Sequence, residues 1–145
     1  MSNMIAKDLK HNIDAALHML AHTIQKFTEE QWIKGLSFFQ VPAKVAYHTV
    51  ECLDFYFKEN DEEFVWGSHF QGGWWEKSDE ELPTQAQILE WLDELAARID
   101  AIFADMSDAD LLIEDEKKYR HGYARIGHYI YAVRHTMHHN GGLVQ

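Results

Sequence analysis

The sequence predicts an all-α protein, a four-helix bundle, and three observations carry that expectation. Apolar residues return at three- and four-residue steps in four separate stretches. The chain has only two prolines, Pro42 and Pro83, and each stands where a helix would begin rather than inside one. The S/T-x-x-E/Q pattern that caps helix starts occurs at Thr28 and again at Thr84.

The first helix is predicted from about Asn3 to Phe27, where Leu9, Ile13, Ala16, Leu17, Leu20, Ile24 and Phe27 form one core-facing stripe. Thr28 to Gln31 then opens a short turn of helix around Trp32. The second helix starts at Pro42 and runs to about Glu59. Val41, Val45, Cys52, Phe55 and Tyr56 lie on one side of it and Lys44, Glu51, Asp54 and Lys58 on another, the pattern of an amphipathic helix. An irregular stretch follows from Asn60 to Leu82, with Gly67, Gly72, Gly73 and five aromatic residues. Loops of this length tend to be functional or to cover something. The third helix begins at Thr84 and carries Ile88, Leu92, Leu95, Ile99 and Ile102 to about Ala104. Ser107 to Arg125 reads as a connector, and the last helix runs from about Ala124 to the chain end.

A chain of 145 residues, 46% apolar and 13% aromatic, has the size and composition of one domain with a real core. Its net charge of −11 repels phosphate backbones and anionic membranes, so neither nucleic acid nor a membrane surface is expected as partner. No apolar run approaches the roughly 20 residues of a membrane span. One cysteine excludes an internal disulfide framework, and the first residues lack a basic start followed by an apolar run. Together these predict a reducing cytoplasm.

Ten histidines stand out from this background. His11, His18 and His22 fall on the side of the first helix opposite its aliphatic stripe and are expected to face water. His48 shares helical spacing with Val41, Val45, Cys52 and Phe55, which places it toward the core, where a polar ring needs a partner. A hydrogen-bonded core histidine and a metal ligand are both open readings there. His135 and His139, four apart on the last helix, project from one face and can share one ion at about 2.0–2.1 Å per bond if another helix supplies a third ligand. His138 points about 100° away, His128 is a candidate to orient a ligand from the same face, and Tyr131 lies one turn before His135. Ile126, Ile130, Val133, Met137 and Val144 form an aliphatic stripe on the opposite side of that helix. If that stripe is the core, the histidines face solvent, unless a second subunit covers the stripe or the helix is buried nearly all round. Periodicity leaves the choice open.

VPAKVAYHTVECLDFYF and YIYAVRHTMHHNGGL resemble the second and last helices of the DinB/YfiT-like family of four-helix proteins. Its pattern is a lone histidine on the second helix and H-x-x-x-H on the last, and His48, His135 and His139 match it. The resemblance spans most of the chain. It implies an up-down-down-up bundle, three neutral imidazoles holding one divalent ion such as nickel or zinc, and often a homodimer. It further implies kinship with thiol S-transferases that use small thiols such as bacillithiol, mycothiol or glutathione, and with a maleylpyruvate isomerase. This sequence departs from the pattern by ending six residues after His139, which predicts a short last helix.

Three ligands leave a position for water or a small-molecule substrate, as in catalytic rather than structural zinc sites. The expectation is a metal-dependent thiol transferase acting on small electrophiles. A hydrolase, or a non-catalytic metal-binding stress-response protein, stands as the alternative, distinguished by whether the site is open or closed by Cys52 or His128. Tyr131 and Glu51 are the candidate catalytic residues, although a helix position like that of Glu51 more often holds an exposed surface carboxylate. Cys52, one turn after His48, can be a fourth ligand, a reactive thiol or, as free cysteines usually are, buried and inert. Trp66, Trp74 and Trp75 either wall a substrate pocket or pack their loop.

Overall fold

Residues 2–59, 61–115 and 121–144 are described by the computed structural model of the chain, so Met1, Asn60, part of the predicted connector (116–120) and Gln145 lie outside the described residues. Among the described residues the secondary structure is helical, apart from one isolated antiparallel bridge between Glu114 and Ala124. Four long helices build the bundle: α1 (Met4–Gln25), α3 (Pro42–Tyr56), α4 (Gln85–Phe103) and α6 (Arg125–Leu143). Two single turns, α2 (Glu29–Trp32) and α5 (Asp108–Leu111), sit between them.

The local signals act as their chemistry requires. Thr28, Thr84 and Ser107 each accept a hydrogen bond from the backbone N–H three residues on, and the side-chain oxygens of Gln31, Gln87 and Asp110 accept one from the backbone N–H of the cap residue, so orphan N–H groups at the starts of α2, α4 and α5 are satisfied. Pro42 occupies the first turn of α3, where its missing N–H has no partner to lose. On α1 the predicted stripe is the buried face, with Ile13, Leu20 and Ile24 at most 1% exposed. Each such burial contributes roughly 1.5–3 kcal/mol. His11, His18 and His22 are exposed on its outer side, as their positions on the wheel required.

Cross-helix contacts set the directions. Asp108, just after α4, accepts hydrogen bonds from the Ser2 hydroxyl at 2.8 Å and the Ala6 N–H at 2.9 Å, while Gln85 at the start of α4 donates to the Ile24 and Phe27 carbonyls. α1 and α4 are therefore antiparallel. Tyr47 meets Trp91 and Asp54 meets Arg98, so equal steps along α3 and α4 stay in register and the two run parallel. His48 faces His135 and His139, whereas Tyr56 faces His128 and Tyr131, making α3 and α6 antiparallel. α6 then closes the ring by packing on α1. The order is up-down-down-up.

α3 departs from its predicted amphipathic form. All of its residues except Lys44 and His48 are buried, Glu51 (2% exposed) and Asp54 (7%) among them. The cause is the segment after it, which folds back over the predicted polar side. Phe64 and Trp66 pack on Phe55, and the Gly67 N–H donates to Glu51 Oε2 at 2.7 Å. Asp54 is satisfied by the Trp91 indole N–H at 3.0 Å and the Arg98 guanidinium at 2.6 Å. The helix also stops at Tyr56, short of the predicted Glu59. Two 3-10 turns, Asp61–Glu63 and Asp79–Glu81, punctuate the stretch read as irregular, and a third, Phe38–Gln40, precedes α3.

Candidate metal centre

The face that α6 turns inward decides where its histidines go. His128, Tyr129, Ala132, Thr136, His139, Asn140 and Leu143 are buried, while Ile130 is 51% and Val144 63% exposed and Ile126, Val133 and Met137 are half-buried. The aliphatic stripe is thus not the core face, and the histidine side meets α3. Two buried hydroxyls of these helices are satisfied within their own helix, whereas His128 Nδ1 and Asn140 Oδ1 of α6 are buried without a hydrogen-bond partner among the described residues. The Thr136 hydroxyl donates to the Ala132 carbonyl and the Thr49 hydroxyl to Val45, both at 2.7 Å, so the two backbones approach with small side chains and no orphaned hydroxyl.

Where α3 and α6 face each other, three imidazoles converge. Ring centroids are 5.0 Å apart for His48 and His135, 4.9 Å for His48 and His139, and 4.6 Å for His135 and His139, each pair edge to face. His48 Nε2 and His135 Nε2 stand 3.1 Å apart. Two nitrogens bound tetrahedrally to one ion stand roughly 3.3–3.4 Å apart, so this pair needs little adjustment to share one. Cys52 Sγ lies 3.9 Å from His48 Nε2, and ligand atoms of His48, Cys52 and His135 all fall within 4.8 Å of one another. A His/Cys/His group able to hold a metal ion is therefore present; the expected ligand His139 adjoins it by its ring but is not one of its three members.

The surroundings keep these rings neutral. Burial, and secondarily His139, lowers the His48 pKa to about 4. Burial, then His48 and the other neighbouring histidines, lowers His135 to about 3, and His139 is lowered by burial and by His138. A neutral imidazole keeps a lone pair for a metal, so the donor chemistry fits a divalent ion. Burial, with Glu51 adding to it, pushes the Cys52 thiol up to about 12. Phe38 shields the cluster, edge-on to His48 and His139, and Trp74 covers His48.

Beside the cluster opens a cavity of about 350 Å³ lined by His48, Cys52, Glu51, Tyr56, Tyr131, His121 and the three tryptophans Trp66, Trp74 and Trp75. The tryptophans both wall this cavity and pack their loop, as Trp66 does on Phe55 and Trp74 on Phe38. Tyr131 lies beside His135 at 5.4 Å and stacks on His121 at 3.6 Å between ring centres. Glu51 is not the exposed carboxylate expected of its position. It borders the cavity from a buried site, and burial raises its pKa to about 7 against the Gly67 N–H bond, which lowers it.

His128 does not join the cluster. It is fully buried, and its Nε2–H donates to the Asp115 carbonyl at 2.6 Å. His138 is exposed beside His139. Phe38 and His121 were missed by sequence reasoning, because both come from short non-periodic segments whose placement depends on the bundle behind them. The loop's own geometry is set at Gly67, whose φ of +85° suits glycine and whose added Cβ would lie 2.7 Å from the Gly73 nitrogen. Gly67→Ala is expected to cost about 1–3 kcal/mol by urea denaturation. An unchanged midpoint would show that this turn does not hold Glu51.

No family model and no curated protein matches the chain. A solved structure described as the crystal structure of the conserved protein of locus from Enterococcus faecalis is similar, with a TM-score of 0.68 at 13% identity over 99% of this chain and 94% of that one. At that identity the likeness concerns the fold alone. No helix among the described residues is long and apolar enough to cross a membrane.

Proposed function

We propose that this chain is a DinB/YfiT-like protein that binds one divalent ion, nickel or zinc, through His48, His135 and His139, and that it is a metal-dependent transferase joining a small thiol to an electrophile. The observation that carries the reading is the convergence of three neutral imidazoles from two helices beside an aromatic cavity. The up-down-down-up order of the helices supports it as well. When bound, such an ion supplies Lewis acidity that lowers the pKa of a thiol or of water.

The chain's own residues do the rest. Trp66, Trp74 and Trp75 take up the apolar body of the substrate and exclude water. The Tyr131 hydroxyl orients it, and Glu51 on the cavity wall accepts the proton of the incoming thiol. A hydrolase would use the same groups on water. A homodimer belongs to this reading, with a second copy over Ile130 and Val144 on the outer face of α6.

Elemental analysis of chelator-washed and reloaded protein is expected to find one ion per chain, and removing it should lower the melting temperature. A screen of thiols with electrophilic acceptors then tests for transfer. Washed and reloaded protein that carries no ion and melts unchanged would leave a plain helical bundle.

A further inference from the structure

Among the described residues the ligand atoms that lie together are those of His48, Cys52 and His135, so Cys52 is a donor that a three-histidine site leaves unused. It lies one turn after His48 on α3, so its Sγ projects from the same side of that helix into the same cavity. In a tetrahedral centre with metal–nitrogen and metal–sulfur bonds of about 2.0–2.1 and 2.3 Å, nitrogen and sulfur stand roughly 3.6 Å apart. Cys52 Sγ is 3.9 Å from His48 Nε2, the nitrogen that also faces His135. It is equally far from His48 Nδ1, so the imidazole and the thiol must turn relative to one another for Nε2 and Sγ to share an ion. The residues around it are aromatic, and a thiolate there is best neutralised by an ion.

We propose that Cys52 is the fourth protein ligand of the resting ion, which makes the centre one of three imidazoles and one thiolate. This rests on the metal-binding reading above and adds the identity of the closing ligand. As the sulfur–metal bond forms, the thiol proton leaves to solvent and the ion is neither oxidised nor reduced. The mixed nitrogen and sulfur set favours zinc, cobalt or copper over magnesium or manganese. Cys52 would then hold the place that an incoming thiol needs, so the site opens to substrate only as Cys52 is displaced. Displacement exchanges one thiolate for another: Glu51 takes the proton of the incoming thiol and passes it to the released Cys52 sulfur.

The test is cobalt(II) loaded into the chelator-washed full chain, with a reductant that contains no thiol. Wild-type protein is expected to bind one cobalt per chain and to show the intense sulfur-to-cobalt charge-transfer absorption of the near ultraviolet. Cys52 is the chain's single cysteine, so no other thiolate of the protein can produce it. Cys52→Ala and Cys52→Ser are expected to bind cobalt more weakly, holding it on three histidines only at saturating cobalt, and to lose the band completely. Cobalt bound without the band in wild type overturns the assignment of Cys52 and leaves the three-histidine centre standing. A band that survives in the variants overturns it too. If no cobalt binds, the metal-binding reading and this inference fail together. The wild-type spectrum decides the matter even if neither variant folds.

Discussion

Alanine at His48, His135 or His139 is expected to abolish stoichiometric ion binding, while alanine at His18 or His22 leaves it intact. Both sets contain an i, i+4 pair, so spacing alone does not separate them. What separates them is the third dimension. His18 and His22 stand exposed on the outer side of α1, whereas the α6 pair meets His48 from α3 across the closed seam of the bundle. A protein site for divalent zinc is worth on the order of 10–16 kcal/mol in small zinc domains. Losing one of three or four ligands therefore weakens binding by about a thousandfold or more. Metal content after equilibrium dialysis reads the outcome, and near-ultraviolet circular dichroism confirms that each variant still folds. Loss of the ion in His18→Ala or His22→Ala would overturn the assignment of the site.

Glu51→Gln is expected to stabilise the metal-free protein above pH 7 by on the order of 3 kcal/mol, and to change it little below pH 4.5. The carboxyl is raised from its ordinary 4.5 to about 7 by burial, so between those values the folded protein holds a proton that the unfolded chain releases. Stability from this group is complete below 4.5 and is lost as pH rises through 7. Glutamine removes the charge and can still accept the Gly67 N–H through its amide oxygen. The buried histidines titrate with the opposite sign, because their lowered values make folding more favourable as pH rises toward 6.5. For that reason the measured quantity is the difference between variant and wild-type urea midpoints across pH 4 to 8. A difference that does not vary with pH would show that Glu51 ionises as freely in the folded chain as in the unfolded one.

The residues differ in how far sequence carried them. Thr28, Thr84 and Pro42 act within one helical turn, and the structure bears out each as read. The stripe of Ile13, Leu20 and Ile24 is likewise the buried face of α1. Glu51 and Asp54 defeat the same method. Their helix is polar on one side by pattern, yet a distant loop covers that side and supplies Gly67, while α4 supplies Trp91 and Arg98. Tertiary burial overrode an amphipathic signal because the partners of the two carboxylates lie 16 to 44 residues away in sequence.

By itself the sequence determined the helical class, the helix starts and the candidate ligands, since caps, proline positions and apolar periods are local and follow from backbone geometry. Which face of α6 turns inward was decided only in three dimensions. Its aliphatic stripe offered a competing core, and the choice depends on the free energy of packing the whole helix against α1 and α3 together. That choice brings His135 and His139 to His48, places His135 within reach of the His48–Cys52 pair, and leaves Ile130 and Val144 outside.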